Sequence, residues 1–212
     1  MGRFKTLGYL VAIIGVAFLL GSGYALTQIQ AGYKSLQSFS AAQNVLLSYN
    51  DQGELIDRGK TEGARAIMRL LTEDWGYPVR SSELDPKDPL VNTASEYMYQ
   101  MATIGYHVLH GTQTISLEQD VEYKGQVYPA GVHKFPVEGR YWTGFDRMHP
   151  LEGPARGMAW SGTAHGLIAE LGVGTVTAST LELGLAVTAL IAGVGGSLVV
   201  LGLGLVWASS KE

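Results

Sequence analysis

The sequence predicts a mainly α membrane protein. Two antiparallel transmembrane helices extend into an extracytoplasmic helical domain that carries a small β-meander insert. Three observations predict this class. The stretch 183–208 contains no charged residue; at 1.5 Å per residue it reaches roughly 39 Å, enough to cross a hydrocarbon core of about 30 Å with some tilt. A second apolar stretch, 7–27, lies near the other end. Between them the chain is polar, with helical periodicity on either side of a short segment of strand periodicity. The expected divisions are a cytoplasmic N-terminus at 1–6, span one at 7–27, an extracytoplasmic domain at 28–182 with its β-insert at about 115–145, span two at 183–208, and a cytoplasmic C-terminus at 209–212.

Taken in order, the N-terminus admits two readings. Arg3 and Lys5 precede the apolar run, and Gly23-Tyr24-Ala25 has small residues where a signal peptidase would cut. The run is long for a signal core, which favours an uncleaved anchor. Ala17, Gly21 and Ala25 form a small-residue row at every fourth position, a surface on which another helix packs closely in lipid. Leu36, Phe39, Leu46 and Tyr49 continue the helical spacing to 49, giving one helix of about 40 residues that ends at the turn signal Asn50-Asp51-Gln52-Gly53.

A second helix is expected over 60–75, with Ile67, Leu70, Leu71 and Trp75 on one face. Gly76-Tyr77-Pro78 ends it. In the loop that follows, Asp88 reads as an N-cap and Pro89 as the first residue of a third helix running to His110. Leu90, Ala94, Tyr97, Met98, Met101, Ile104 and Val108 form its apolar stripe, and Gly111 stops it. Asn92, Glu96, Gln100 and His107 exclude a membrane span here, since each would need a partner in lipid. Val121-Glu122-Tyr123 and Gln126-Val127-Tyr128 flank Lys124-Gly125, the form of a tight hairpin. A third strand is expected over 132–137, completing the meander, and then a proline- and glycine-rich loop, 143–160. A helix from Ala159 to Ala208 would match the first in length.

Span two repeats small residues as the first does. Gly184, Thr188, Ala192 and Gly196 form one row, and Ala189, Gly193 and Ser197 its neighbour. Each glycine costs a helix about 1 kcal/mol relative to alanine in water, so their density points to close packing on both sides of the span.

Charge sets orientation and excludes some functions. The positive charges near the spans, Arg3, Lys5 and Lys211, lie at the outer ends of the chain, and Lys34 alone follows span one closely. Both termini are therefore expected in the cytoplasm and the central domain outside it, in the cell membrane. The net charge is −4 across 212 residues, so no nucleic-acid partner is expected. With no cysteine, disulfides, thiolate ligands and a thiol nucleophile are excluded.

The stretch Ser82, Leu84, Asp85, Asp88 and Pro89, followed by Thr93, Ala94 and Ser95, has the form S-x-L-D-x-x-D-P leading into T-A-S. With the basic N-terminus and the two Gly/Ala-rich spans, it resembles small actinobacterial two-span membrane proteins often labelled aromatic ring-opening dioxygenases. The resemblance covers the first half and the C-terminal span; the stretch 111–156 departs from it. It implies the two-span layout, and it places no metal site on this chain.

Three clusters are chemical candidates. His107 and His110, at i and i+3, are weak candidates for a shared metal ion, with His133, His149 or a carboxylate completing the set. Arg140, Asp146, Arg147, His149, Glu152 and Arg156 crowd one exposed loop, either a binding surface or a salt-bridged fastener of the β-insert. Ser161 and His165, at i and i+4, have no acid partner or oxyanion loop beside them. The leading expectation is a non-enzymatic structural or accessory subunit of an envelope membrane complex, or a homo-oligomer. Its partners would be membrane lipid and other transmembrane helices, with no cofactor. The alternatives are a membrane-anchored metal-binding protein or metalloenzyme using His107 and His110, and an extracytoplasmic ligand- or lipid-binding sensor.

Overall fold

The computed structural model describes residues 2–210, so Lys211, used above in the orientation argument, lies outside the described residues. The chain forms two compact units. One comprises Met1–Gln43 with Val176–Glu212, the other Asn44–Thr175.

The first unit is built from α1 (Gly2–Gln43) and most of α5 (Gly162–Ser209), 42 and 48 residues long. Both are long and apolar enough to cross a membrane. Only 11% of the most apolar window of each is buried, unlike a core helix of a water-soluble domain. The two run antiparallel. Gly8 lies against Gly202, Gly15 against Gly195, and Ile29 against Gly184.

α1 ends earlier than the expected 49. Asn44 takes φ 50, the left-handed conformation that closes a helix and that asparagine tolerates. Beyond it the backbone is extended. Leu47 N–H donates to Pro89 O at 2.8 Å and Val91 N–H to Val45 O at 2.9 Å. This pairing also corrects the start of the third helix. Pro89 and Leu90 are committed to the extended pairing, and Asp88 closes a turn on Asp85 O. The third helix, α3 (Ala94–Leu109), starts where a capping box becomes available. Thr93 Oγ1 accepts from Glu96 N–H, and Glu96 Oε2 accepts from Thr93 N–H at 2.9 Å, Thr93 O–H at 2.8 Å and Asn92 N–H at 3.0 Å. Glu83 Oε2 takes the N–H of Ser95 at 2.8 Å. The loop before α3 thus holds its start through Glu83.

The fully buried row of α3 lies beside the expected stripe. Ala94 and Tyr97 of that stripe are buried, but so are Ser95, Tyr99, Ala102, Gly105 and Leu109 beside it, whereas Met98, Met101, Ile104 and Val108 are only partly so. A Cβ on Gly105 would come 3.0 Å from the Trp75 ring, so the small residues admit an aromatic. Before α3, the expected 60–75 helix is α2 (Thr61–Arg69) followed by one π turn (Leu70–Asp74).

The β-insert is two nested ribbons, not a meander. β1 (Thr112–Leu117) pairs antiparallel with β4 (Gly131–Pro136), and the expected hairpin, β2 (Val121–Tyr123) with β3 (Gln126–Tyr128), sits between them. Gly131, at φ 129, redirects the chain so that β4 returns to β1 and bypasses β3. The loop expected over 143–160 contains a helix, α4 (Glu152–Ala159), with Pro154 in its first turn, where a missing donor is harmless. α5 is separate from it and begins at Gly162, with Ser161 Oγ accepting from Ala164 N–H at 3.2 Å. The core of the second unit joins Leu70, Leu109, Ile115, Val137, Phe145, Ala155, Ala159 and Trp160.

Candidate functional site

The small residues of the spans separate into two sets with opposite surroundings. In the first, a Cβ has no room. On Gly202 it would meet Gly8 O and Ala12 N at 2.5 Å, on Gly195 it would meet Gly15 O at 2.9 Å, and on Gly15 it would meet Gly195 O at 2.6 Å. These contacts are to backbone, which cannot step aside, so the helices touch main chain to main chain. The set recurs every seventh residue: Gly8, Gly15 and Ser22 on α1, and Thr188, Gly195 and Gly202 on α5, all buried. A seven-residue row drifts only about 20° per step around a helix and so stays on one seam.

The expected four-residue rows behave differently, because each step advances about 40°. Gly184 begins within the seam, 3.3 Å from Ile29 Cδ1 for an added Cβ, and Thr188 is 7% exposed. Ala192 is half-buried, and by Gly196 nothing lies within 4 Å of an added Cβ. Gly193 and Gly204 are likewise open, and Ser197 is exposed, its hydroxyl turned back to Gly193 O at 2.9 Å. On α1, Ala17 is exposed and Gly21 open, while Ala25 is half-buried. The sequence rows therefore mix two faces, and the seven-residue seam was the missed signal.

The chain matches no family model, and no curated protein or solved structure is similar to it.

The charged loop is tied together from within. Arg140 Nη1 lies 3.2 Å from Glu152 Oε1, and Glu152 Oε2 accepts from Asp146 N–H at 2.7 Å. Asp146 Oδ2 accepts from Tyr123 O–H at 2.6 Å and from Lys124 Nζ at 3.0 Å, so the β2 end of the β2–β3 turn holds it. The Tyr123 and Lys124 hydrogen bonds keep the Asp146 carboxyl down at about 2. His149 Nδ1 accepts from Leu151 and Glu152 N–H, capping α4, and its Nε2 meets Tyr128 O–H at 2.9 Å. Arg156 lies over the Trp142 ring and donates to Trp142 O at 3.0 Å. The backbone of Arg147 packs on Gly153, whose added Cβ would lie 2.5 Å from Arg147 O. Four of the six predicted loop residues are thus joined by side-chain bonds that fasten the β2–β3 hairpin and the start of α4, and a fifth, Arg156, ties α4 to Trp142.

The two histidines at the end of α3, His107 in its last turn and His110 at its C-cap, part company. His107 Nε2 is 2.9 Å from Asp57 Oδ1, whereas His110 stacks on Tyr106 at 4.2 Å between ring centroids and directs Nδ1 to Tyr106 O. His133 Nε2 faces Pro129 O. Among the described residues no three His, Cys, Asp or Glu side chains gather as a metal-holding group. Ser161 spends its side chain on the α5 cap, and His165 Nδ1 faces Ser161 O, not the hydroxyl.

Proposed function

We propose that this protein is a non-enzymatic membrane subunit that works by lateral association, within a homo-oligomer or as an accessory part of an envelope complex. The observation that carries the reading is the division of the span glycines. Gly8, Gly15, Gly195 and Gly202 are filled by the partner span of the same chain, while Gly21, Gly193, Gly196 and Gly204 have open surroundings. Close packing within the chain accounts for the first set. The second set weakens the helix without any internal return, and it suits a helix from outside the chain. Arg3 and Lys5 favour a cytoplasmic N-terminus, with the 44–175 unit on the other side of the membrane.

Replacing Gly193 and Gly204 by leucine tests this. The double variant should keep its helical content and lose its higher-order species in mild detergent, read by light scattering coupled to size exclusion. Gly195→Leu/Gly202→Leu is the contrast, since it should disturb the folded chain itself. An unchanged particle mass for the outward variant would sink the proposal.

A further inference from the structure

Two turns in the second unit have the same construction. In each, a basic residue and then a glycine occupy positive φ: Arg58 at 49 with Gly59 at 80, and Lys124 at 51 with Gly125 at 79. Both close antiparallel pairs, Asp57 with Lys60 in the first and Tyr123 with Gln126 in the second. Such turns favour asparagine or glycine at the first position, and a long basic side chain there carries a conformational cost. At Lys124 the return is on view, since its ammonium meets Asp146 Oδ2 at 3.0 Å. At Arg58 there is no such return. Among the described residues neither Arg58 nor Lys60 has a carboxylate within ion-pair distance.

Both cations instead line a cleft of about 560 Å³, together with Asp57, Tyr106, His107 and His110. The one carboxylate there, Asp57, is already tied to His107 Nε2 at 2.9 Å. The cleft also sits at the C-terminal end of α3, where bare carbonyls would repel an anion. Three of the last four carbonyls are occupied: Tyr106 O by His110, Val108 O by Gly111 N–H, and Leu109 O by Gly139 N–H. The cleft therefore has two exposed cations without an ion-pair partner among the described residues, and its one lining carboxylate is bonded to His107 within the cleft.

We propose that this cleft binds an oxyanion of the phosphate type, with Arg58 and Lys60 as its counter-charges and the Tyr106–His110 stack as its wall. The anion is either a free small molecule or the headgroup of an acidic phospholipid. Full-length protein in mild detergent is titrated calorimetrically with sulfate, with glycerol phosphate, and with short-chain phosphatidylglycerol mixed into the micelles, at constant ionic strength. Arg58→Asn/Lys60→Gln is the decisive variant. It removes both charges and places Asn-Gly in the turn, the sequence such turns prefer, so folding is preserved. Saturable binding should weaken about tenfold or more in that variant and change less than about twofold in Lys134→Gln, an exposed control on β4. Binding of the soluble probes assigns a free oxyanion; binding of phosphatidylglycerol alone assigns a lipid headgroup. Absence of saturable binding for all three, or equal affinity in the double variant and the wild type, overturns the proposal.

Discussion

Replacing Glu96 should be the most damaging single polar change in the 44–175 unit. Its side chain is 2% exposed, and one oxygen accepts three hydrogen bonds, from Asn92 N–H, Thr93 N–H and Thr93 O–H. Glu96→Ala strands two backbone donors in a place water reaches poorly. Each stranded donor costs about 1–3 kcal/mol, so the loss should be about 3 kcal/mol, a large share of an ordinary domain's stability. Glu96→Gln keeps an acceptor oxygen in the same position and should cost about 1 kcal/mol or less. Burial raises the Glu96 pKa above its ordinary 4.5. A raised carboxyl contributes stability that is full below 4.5 and is lost as the pH rises through the folded value. Glu96→Gln should therefore flatten the stability curve just above pH 4.5. Tryptophan fluorescence during urea unfolding of the detergent-solubilised chain reads this unit, since Trp75, Trp142 and Trp160 lie in it and only Trp207 lies in α5 beyond it. The reasoning is refuted if Glu96→Ala costs less than about 1 kcal/mol, or if Glu96→Gln costs as much as Glu96→Ala.

Two further outcomes follow from the loop. The Asp146 carboxyl is held at about 2 against an ordinary 3.8, so its tether on the β2–β3 hairpin should persist above pH 3.8 and fail as the pH falls through about 2. Hydrogen exchange of the 121–128 amides measures it; loss of protection already near 3.8 would contradict the assignment. Arg140→Lys should destabilise the same unit by about 1–2 kcal/mol despite keeping the charge, because one ammonium cannot serve Val137 O, Pro136 O and Glu152 together as the guanidinium does. Chemical unfolding that shows no difference between the two would remove that role.

The elements with strong local signals were legible in the sequence. The spans announce themselves by length without charge, and the 121–128 hairpin by Lys-Gly between alternating residues. What local reading missed was decided by distant partners. Nothing near Pro89 reveals that its carbonyl receives the N–H of Leu47, so a proline that reads as a helix start lies in an extended pair. The strand at 112–117 escaped notice because its partner follows only after the intervening hairpin. α4 hid behind proline and glycine, residues that read as loop, although His149 supplies its cap. In the spans, a four-residue pattern sought in glycine-rich sequence found rows that slide from one face to another, whereas the seam follows a repeat of seven. The charged loop was visible as a cluster, but its hairpin partners Tyr123 and Tyr128 were not.

The seven-residue seam also limits how the two spans can move. Gly8 sits on Gly202 and Gly15 on Gly195, each admitting the other's backbone where a methyl group would collide. Val199 and Val206 also pack on Gly15 and Gly8, so a slip of one turn would carry Gly195 and Gly202 away from the glycines that admit them. The next register that again sets these small residues against each other lies about 10 Å away. The span pair is therefore indexed like meshed teeth. A sliding stroke of an ångström or two of one helix past the other is not open to it, and any motion it transmits must carry both helices together.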